Sequence, residues 1–318
     1  MRSKDRLAVI QLTCPHQGDN MPQAVIASCA FPGTYDVDKN LDLHLSYIKE
    51  AVDAGASLVV FPETSLQGYP AILDLEKIED AITKAQRTAE SVPDGPSVQR
   101  LITAAMKHNI HVVFGLTEAG KQPGILYNTL VLAGPQGYIG SFRKVHLTLE
   151  EKYIWRPGDH WPVFDTALGK VGLLICYDKS WPEGCRELTL SGAQLLVVGS
   201  AWAANPGNGD RENNSSVRRY DLYDRVRALE NSRWLISSNF VGEHGGSNFI
   251  GFSQIVDPLG GIVASSGLDH IGVVTAEIDI CAGLAGASAV YMGPRLIRDR
   301  RADTYKVLNG SLPVVVDG

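Results

Sequence analysis

Residues Val171-Gly-Leu-Leu-Ile-Cys-Tyr-Asp178 carry the first clear sign of how this chain folds. An apolar run of this length predicts a short buried strand, from 171 to 175, that stops at Cys176. A cysteine that closes such a strand is more often part of the core than a nucleophile, because free cysteine is among the most buried residue types. The residues that follow the cysteine change this balance.

The sequence after Cys176 predicts the start of a helix. Ser180 and Glu183 have the spacing of a capping box, and Pro182 stands in the first turn, where proline is favoured. The N-terminus of a helix favours a thiolate and lowers the pKa of a cysteine beside it. This position favours a nucleophilic role for Cys176 over the more common role in the core, and the backbone N–H of Tyr177 is expected to point toward an oxyanion.

Short β-rich runs alternate with helical stretches in the rest of the chain, which is the order expected of an α/β fold with two sheets covered by helices. The expected strands are 7–12, 57–61, 110–115, 171–175, 194–199, 234–238, 253–256 and 262–265, and Pro135-Gln-Gly137 joins a hairpin. The expected helices are 75–91, 97–108 and 217–232, and a further helix begins with Asp38 as its cap. Residues 13–35, rich in Pro, Gly, Gln and Asn, predict a long surface loop or an ordered lid.

The chain has 318 residues and shows no internal repeat or linker, so one large domain is expected. Glycine and charged residues become more frequent after Ala282. We therefore assign residues 1–281 to a single domain and residues 282–318 to a C-terminal tail. The tail closes with the apolar run Leu312-Pro-Val-Val-Val316, and we expect it to dock at an oligomer interface.

Composition and charge exclude several classes of protein. The content of 44% hydrophobic and 20% charged residues is that of an ordinary globular protein, and no window contains the roughly 18 apolar residues of a membrane span. The apolar run 7–12 is too short for the core of a signal peptide, so a cytoplasmic location is expected. A net charge of −6 provides no basic patch for nucleic acid. The five cysteines are scattered, without a Cys-x-x-Cys pair, which argues against a disulfide framework or a zinc site.

Two further reactive side chains stand where predicted strands end. Glu63 follows the strand 57–61, and Lys144 closes the second strand of the hairpin. Open α/β sheets present functional groups at such strand ends. Partial burial raises the pKa of a glutamate toward the range of a general base, and a buried lysine places a positive charge beside an oxyanion. Taken alone, each of the two residues is equally compatible with an ordinary surface position.

At these three places the sequence resembles the nitrilase superfamily of carbon–nitrogen hydrolases. Leu58-Val-Val-Phe-Pro-Glu63 is similar to the glutamate motif of that family, Phe142-Arg-Lys144-Val-His-Leu147 to its lysine motif, and Leu173-Leu-Ile-Cys176-Tyr-Asp178 to its cysteine motif. The resemblance runs from Leu7 to about Glu277. It implies an α-β-β-α sandwich of two mixed sheets covered by helices, and it implies pairing of such sandwiches into a homodimer or a higher homo-oligomer.

The resemblance also implies a mechanism that requires no metal and no organic cofactor. In it Cys176 is the nucleophile, Glu63 is the general base, and Lys144 stabilises the tetrahedral intermediate. Many members carry a second glutamate six residues before a Pro-Gly pair, and Glu151 stands at that distance from Pro157. The thiolate attacks the carbonyl carbon of an amide, ammonia leaves, and water activated by the base releases the acid from a thioester.

Aromatic residues near these positions are candidates for the substrate pocket, although aromatic side chains that only pack are at least as common. The candidates are Tyr69, Tyr177, Trp181 and Trp202. Nitrile-cleaving members usually have a Trp-Glu pair after the cysteine, whereas the pair Tyr177-Asp178 resembles the amidase and carbamoyl-amide branches. Several of those branches hold a substrate carboxylate with an arginine placed shortly after the cysteine. Lys179 is the candidate for that role here, and a solvated Lys179 is the alternative.

The sequence therefore predicts hydrolysis of a small non-peptide amide to a carboxylic acid and ammonia. The alternatives are an N-carbamoyl amide hydrolase that also releases carbon dioxide, a nitrilase, and a catalytically silent subunit with the same fold. The presence of Glu63, Lys144 and Cys176 together disfavours the silent subunit. A metal-dependent amidohydrolase would need clustered histidines, and the eight histidines are dispersed. The expected partners are a small amide or carbamoyl substrate and a second copy of the chain.

Overall fold

A computed structural model describes residues 23–70, 78–205, 207, 212–289, 295–308 and 310. Within these ranges the strands are β1 (Ala24–Phe31), β2 (Ala56–Val60), β3 (His111–Ala119), β4 (Leu126–Gly134), β5 (Gly137–Arg143), β6 (Val163–Thr166), β7 (Gly169–Ile175), β8 (Leu195–Ser200), β9 (Trp234–His244), β10 (Ser247–Ile250), β11 (Gln254–Val256), β12 (Ile262–Ser265) and β13 (Gly272–Ile278). The helices are α1 (Val37–Asp53), α2 (Ile78–Thr88), α3 (Pro96–His108), α4 (Pro182–Leu190), α5 (Ser215–Asn231), α6 (Ile280–Ala289) and α7 (Arg295–Arg298).

The main path of strands runs in the order β5-β4-β3-β2-β1-β9-β8-β7-β6. It is mixed: β1, β2 and β3 pair in parallel, as do β7, β8 and β9, and antiparallel strands flank each group. Strands β1 and β9 pair only through Ala30 with Asn239 and Phe31 with Phe240. This short joint divides the path into an N-terminal half-sheet (β1–β5) and a C-terminal half-sheet (β6–β9).

The two half-sheets pack face to face. Leu58 and Val60 of β2 share one hydrophobic cluster with Leu173 and Ile175 of β7, which places that cluster between the half-sheets. The intervening Val59 points the other way, into a cluster with residues of α1 and α3. Because successive side chains of a strand face opposite sides, burial of both faces requires the continuous apolar runs seen in the sequence.

The outer face of the C-terminal half-sheet is covered in the same way. Leu174, between the two inward-facing residues of β7, packs with Cys185 and Leu188 of α4 and Ala228 of α5. The order of layers is therefore helices, half-sheet, half-sheet, helices. The α-β-β-α sandwich is confirmed, with the difference that the two sheets are continuous through the joint between β1 and β9.

Strand β1 corrects the expectation that residues 13–35 form a loop or a lid. Residues 24–31 are almost wholly buried, and they pair with β2, β9 and β13. The prediction was wrong because a strand buried on both faces shows no alternation of polar and apolar residues, so the Pro and Gly around it dominated the pattern. The strand expected at 7–12 lies outside the described residues.

Most of the other expected elements are confirmed within a few residues, including the hairpin between β4 and β5. Helix α1 is capped by Asp36, whose side chain accepts the Lys39 N–H at 3.2 Å, and not by Asp38.

Cys29, Cys176 and Cys185 are free thiols. Cys281 is disulfide-bonded, a bond that the sequence analysis, which argued only against a disulfide framework, did not predict. No helix within the described ranges has both the length and the apolar character of a membrane span.

Candidate active site

Four reactive side chains from distant parts of the chain meet in one buried cluster at the ends of the strands. Glu63 lies shortly after β2, Lys144 directly after β5, and Cys176 directly after β7. Glu151 lies in a short 3-10 helix, Glu150–Tyr153. The exposed fractions of the four residues are 0%, 1%, 8% and 0%, respectively. All four residues named by the sequence analysis as catalytic candidates are therefore brought together.

Lys144 is the centre of the cluster. Its Nζ donates to Oε1 of Glu63 and to Oε1 of Glu151, both at 2.6 Å. Burial disfavours the charge of Lys144, but the carboxylates of Glu151 and Glu63 outweigh this effect and raise its pKa. Lys144 therefore remains an ammonium group, although it is almost completely removed from water.

Glu63 is fixed by donors from both half-sheets. Besides Lys144, its Oε1 accepts from Nδ2 of Asn128 at 2.6 Å, and its Oε2 accepts from the backbone N–H of Ala201 at 2.9 Å. Burial raises the pKa of Glu63 from 4.5 to about 7; the Lys144 ammonium opposes the rise and the Glu151 carboxylate adds to it. A carboxyl group with this pKa can both accept and release a proton near neutral pH.

A glycine allows the loop that carries Glu63 to lie close to the sheet. A Cβ at Gly115 of β3 would collide with the carbonyl oxygen of Pro62 and the backbone nitrogen of Thr64. Thr64 itself has a φ of 46°, in the left-handed region. The strained backbone beside Glu63 is thus held by close packing against β3.

Glu151 connects the cluster to an aromatic residue. Its Oε1 accepts from the Tyr69 hydroxyl at 2.8 Å, and its Oε2 accepts from the backbone N–H of Thr148 at 2.8 Å. The sequence analysis proposed Tyr69 as part of the substrate pocket. The structure places its hydroxyl within the hydrogen-bonded cluster around Lys144.

Cys176 has a backbone conformation that is rare for a residue with a side chain. Its φ is 48°, in the left-handed region, and such strain is typical of functional sites. Asp178 holds the turn, because its Oδ2 accepts the Ile175 N–H at 3.1 Å and its Oδ1 accepts the His146 N–H at 2.8 Å. The thiol of Cys176 lies beside the Glu63 carboxylate and the backbone N–H of Ala201, since both groups act on its pKa.

The helix expected directly after Cys176 begins later than predicted. Residues Cys176–Ser180 form a 3-10 helix, and α4 begins at Pro182 with Trp181 as its N-cap and without a side-chain capping bond. The expected capping box of Ser180 and Glu183 is therefore wrong. Since the N-terminus of α4 is a full turn away, its dipole has little effect on the cysteine.

The pKa of Cys176 moves in the direction opposite to the one expected. Burial raises it, the negative charge of Glu63 adds to the rise, and Lys144 and the Ala201 N–H oppose it. The resting group is therefore a thiol. Because only a thiolate is an effective nucleophile, the thiol would have to transfer its proton to a neighbouring base, and the Glu63 carboxylate is close enough for its charge to raise the pKa of the thiol.

Lys179 is not a solvated side chain, and its ammonium group is paired within the protein. It is fully buried, its Nζ donates to Oδ1 of Asp224 at 2.7 Å, and it lies 3.1 Å from the centroid of the Tyr220 ring. Asp224 belongs to α5, and Arg227 of the same helix donates to the carbonyl oxygens of Lys179 and Ser180. The alternative of a solvated Lys179 is therefore wrong, because its partner lies 45 residues away in the chain and could not be recognised from the sequence. The role of Lys179 in binding a substrate carboxylate stays a prediction.

Two of the aromatic candidates line an open cavity of about 780 Å³ beside the cluster, which we call the outer groove. They are Tyr177 and Trp181, and the other lining residues are Val145, His146, Leu147, Thr148, Leu149, Lys152, Trp155, Arg156 and Pro157. Trp202 is not among them. Its Nε1 donates to Oγ of Ser216 at 2.8 Å, and its ring packs on Tyr220, so its position is that of a packed aromatic.

The sequence analysis missed the partners that orient the cluster, namely Asn128, Ala201 and Asp178. Asn128 gave a weak signal, because an amide in the middle of the otherwise apolar strand β4 requires a buried partner. Asp178 was noticed only as part of a motif. Ala201 contributes its backbone N–H, and this contribution does not depend on the residue type, so no signal for it exists in the sequence.

The sequence matches the family model described as carbon-nitrogen hydrolase over residues 8–282. Among curated relatives, a nitrilase from Pyrococcus abyssi is 35% identical, with 86% of this chain and 95% of the relative covered. An N-carbamoylputrescine amidase from Solanum lycopersicum is 29% identical, with 91% and 97% covered. An (R)-stereoselective amidase from a Pseudomonas species is 33% identical, with 77% and 81% covered.

Solved structures give a consistent result. An amidase from Nesterenkonia sp. AN1 has a TM-score of 0.68 at 26% identity, with 91% of this chain and 97% of that chain covered. A variant of it shows covalent addition of the acetamide moiety of fluoroacetamide at the active-site cysteine. A Saccharomyces cerevisiae member of branch 10 of the nitrilase superfamily has a TM-score of 0.73 at 26% identity, with 85% and 95% covered.

Proposed function

Because the chain belongs to the carbon–nitrogen hydrolase family, we propose that it hydrolyses a small non-peptide amide to a carboxylic acid and ammonia. The observation that carries this proposal is the buried cluster in which Lys144 holds the Glu63 carboxylate at 2.6 Å beside the thiol of Cys176. Burial of two carboxylates and one ammonium is expensive in free energy. A catalytically silent subunit would have no need of this arrangement, which disfavours that alternative.

In the first step Glu63 accepts the thiol proton of Cys176 while Sγ attacks the carbonyl carbon of the amide. The carbonyl oxygen becomes an oxyanion, which the Lys144 ammonium and the backbone N–H of Tyr177 stabilise. Tyr177 suits this role because the first N–H groups of a helix have no partner within the helix, and it occupies the first turn after Cys176.

In the second step protonated Glu63 delivers its proton to the amide nitrogen, the C–N bond breaks, and ammonia leaves. The acyl carbon remains bonded to Sγ of Cys176 as a thioester. Glu63, again a carboxylate, then accepts a proton from water as the water oxygen attacks the thioester carbon. The C–S bond breaks, the carboxylic acid is released, and the proton returns to the sulfur.

Glu151 has a separate role in this cycle. Glu63 loses its negative charge each time it carries a proton, and a buried ammonium without a counter-charge would then be unstable. Glu151 accepts from the same Nζ of Lys144 at 2.6 Å, so one carboxylate remains beside the ammonium throughout. We infer that Glu151 keeps Lys144 charged and in position during both steps.

An amide is favoured over a nitrile as the substrate. The tetrahedral oxyanion formed from an amide carries its charge on oxygen, where Lys144 and the Tyr177 N–H are expected to lie, whereas a nitrile develops charge on nitrogen. The pair Tyr177-Asp178 also differs from the Trp-Glu pair usual in nitrile-cleaving members. Mutants of the amidase of similar structure have been solved in complex with butyramide and with acrylamide.

The test is a comparison of matched substrates that differ only in the amide or nitrile group. We expect kcat/KM for the amide to exceed that for the nitrile by at least about tenfold, or about 1.4 kcal/mol of transition-state preference. Faster hydrolysis of the nitrile would contradict the preference for amides and would favour nitrilase activity, as named for one of the relatives. An N-carbamoyl substrate would release carbon dioxide together with ammonia. An assay of both products therefore distinguishes an N-carbamoyl amide hydrolase from a simple amidase.

We also propose that the enzyme is cytoplasmic and forms at least a homodimer through its C-terminal tail, residues 282–318. Both statements are supported by the sequence arguments alone. Light scattering at micromolar concentration is expected to give at least twice the mass of one chain. A mass near 34.4 kDa would contradict the dimer.

A further inference from the structure

The two oxygens of the Glu63 carboxylate have different hydrogen bonds. Oε1 accepts from Nζ of Lys144 and from Nδ2 of Asn128, both at 2.6 Å. Among the described residues, Oε2 accepts from a single N–H group, that of the Ala201 backbone, at 2.9 Å. Because a carboxylate oxygen has two lone pairs, Oε1 is saturated and Oε2 keeps one lone pair free. Oε2 is therefore the oxygen that can accept the thiol proton of Cys176.

The direction of this free lone pair depends on the Ala201 N–H. Strand β8 ends at Ser200, which pairs with Asn239 of β9, so the Ala201 N–H lies just beyond the last pair of the ladder. The same N–H opposes the rise in the pKa of Cys176. One backbone group outside the sheet thus acts on both partners of the proposed proton transfer, and its orientation has to be fixed by something other than strand pairing.

The side chain of Asn239 holds the segment that follows this N–H. Its Oδ1 accepts the Trp202 N–H at 2.7 Å, and its Nδ2 donates to the carbonyl oxygen of Trp202 at 3.1 Å. Because each peptide group is planar, these two bonds fix the two peptide groups directly after the Ala201 N–H. Strand β8 fixes the chain on the other side. The Ala201 N–H is therefore held between two fixed points.

Asn239 has one possible orientation of its amide. The residue is 0% exposed, and its Nδ2 also donates to the carbonyl oxygen of Gly251 at 2.8 Å. Its backbone N–H donates to Oγ of Ser253 at 3.0 Å. A flipped amide would place its oxygen against the carbonyl oxygens of Trp202 and Gly251, so the hydrogen-bond network determines the assignment. The bonds of this one side chain cannot be replaced by rotation of a neighbour.

From these contacts we propose that Asn239 is a positioning residue for the hydrolysis, which holds the Ala201 N–H, and thereby Oε2 of Glu63, in the orientation that accepts the thiol proton. This inference rests on the proposed function, in which Glu63 takes up that proton. Asn239 acts through the backbone of Ala201 and Trp202, and not on the reacting atoms themselves. If the Ala201 N–H turns away, the carboxylate loses a donor, and the pKa of Glu63 rises further.

The first variant is Asn239→Ala, which removes the three side-chain bonds. At pH 7 we expect kcat to fall by at least about tenfold while KM changes by less than about threefold. The midpoint of the pH profile of kcat/KM should move from about 7 to about 8, because Glu63 loses a donor. The ratio of kcat/KM in the variant to that in the wild type should therefore increase with pH. The charged and titratable groups that face Glu63 are unchanged in this variant, namely Lys144, Glu151, Cys176 and Tyr69.

The second variant, Asn239→Asp, should show the opposite dependence on pH. The introduced carboxyl group faces the carbonyl oxygens of Trp202 and Gly251, so it repels them when it is ionised. When it is protonated it can accept the Trp202 N–H and donate to one carbonyl oxygen, as the amide does. We expect the ratio of kcat/KM to that of the wild type to fall by at least about fivefold from about pH 6 to about pH 9.

Asn231→Ala is the matched control. Asn231 is also fully buried, and its Nδ2 donates to the carbonyl oxygen of Arg227 at 2.9 Å, at the end of α5. This variant may lose stability, but its ratio of kcat/KM to that of the wild type should not depend on pH. A ratio for Asn239→Ala that is likewise independent of pH would overturn the inference, because it would show that Asn239 only supports the fold.

Alkylation separates this inference from the proposed function. Reaction of Cys176 with iodoacetamide requires the thiolate but no hydrolysis of an amide. At pH 7 we expect Asn239→Ala to slow the labelling of Cys176, followed by mass spectrometry, by at least about fivefold, and Asn231→Ala to leave it unchanged. Equal rates in the wild type and Asn239→Ala would overturn the inference even if amides are hydrolysed. Slower labelling supports it even if the wild-type enzyme hydrolyses no amide, a result that would count against the proposed function instead.

Discussion

Nζ of Lys144 lies 2.6 Å from Oε1 of Glu63, and both side chains are withdrawn from solvent. Burial of such a pair costs several kcal/mol per ion, and the attraction offsets this only when the geometry is good. Here a second carboxylate, that of Glu151, contacts the same ammonium. Two carboxylates for one ammonium are suited to a site where a proton moves, because one carboxyl group can be protonated while the ammonium keeps a partner.

Loss of this ammonium is expected to destabilise the fold. Lys144→Met leaves two buried carboxylates without a counter-charge, so we expect the free energy of unfolding to fall by about 3–5 kcal/mol, with loss of activity. Urea denaturation followed by circular dichroism measures the change. Lys170→Met is the control, because the pair of Lys170 with Asp165 is exposed and contributes less than about 1 kcal/mol. Equal losses in the two variants would contradict the prediction.

The identity of the nucleophile can be tested by chemical labelling. Cys176→Ala is expected to abolish hydrolysis and to leave the fold intact, because the side chain is small and the thiol is the group that we propose to form the covalent intermediate. Fluoroacetamide or iodoacetamide should inactivate the wild-type enzyme with a mass increase located on Cys176. Cys185→Ala, which removes another buried free thiol, should remain active. Inactivation with Cys176 unmodified would exclude it as the nucleophile.

The dependence on pH should report the proton acceptor. Glu63 has a pKa of about 7 in the folded protein and must be a carboxylate to accept the thiol proton, so kcat/KM is expected to rise with pH through about 7. Below that value kcat/KM should fall about tenfold per pH unit. Glu63→Asp, which keeps the carboxyl group but shifts its position, should show a different midpoint. A profile that is flat between pH 5 and 8 would exclude this role.

Stability should change in the opposite direction over the same range. The folded pKa of Glu63 is raised above its ordinary value of 4.5, so its contribution to stability is fully present below pH 4.5 and is lost as the pH rises through about 7. Glu63→Gln has no carboxyl group at this position and therefore lacks this pH-dependent contribution to stability. The free energy of unfolding of the wild type relative to Glu63→Gln is therefore expected to decrease between pH 5 and 8. A constant difference would contradict the raised pKa.

The buried pair of Lys179 and Asp224 can be tested for its role in holding the turn that begins at Cys176. Asp224→Asn leaves the ammonium unpaired, and we expect unfolding to become easier by about 3–5 kcal/mol. The double variant with Lys179→Met removes both charges and is expected to recover most of that loss. Because Lys179 lies in the turn that begins at Cys176, the single variant should also lower kcat more than it changes KM. Equal stability of the single and double variants would contradict the pairing.

The sequence was informative where one residue type and its neighbours decide the outcome. The strand before Cys176, the hairpin before Lys144 and the spacing of Glu151 from a Pro-Gly pair are local features, and each was placed correctly. The pKa shift of Cys176 and the burial of Lys179 were not predicted correctly, since both depend on partners such as Glu63 and Asp224 that are far away in the chain. Charges brought together by folding cannot be read from spacing alone.

The short joint between β1 and β9 has a consequence for how activity appears during folding. Glu63, Lys144 and Glu151 follow strands of the N-terminal half-sheet, whereas Cys176 and the Ala201 N–H follow strands of the other. A chain whose two halves had each collapsed, without docking on each other, would have nearly all its secondary structure and no complete catalytic centre. In a refolding experiment, the recovery of hydrolysis should therefore report when the two half-sheets dock on each other. It should lag behind the recovery of the circular dichroism signal.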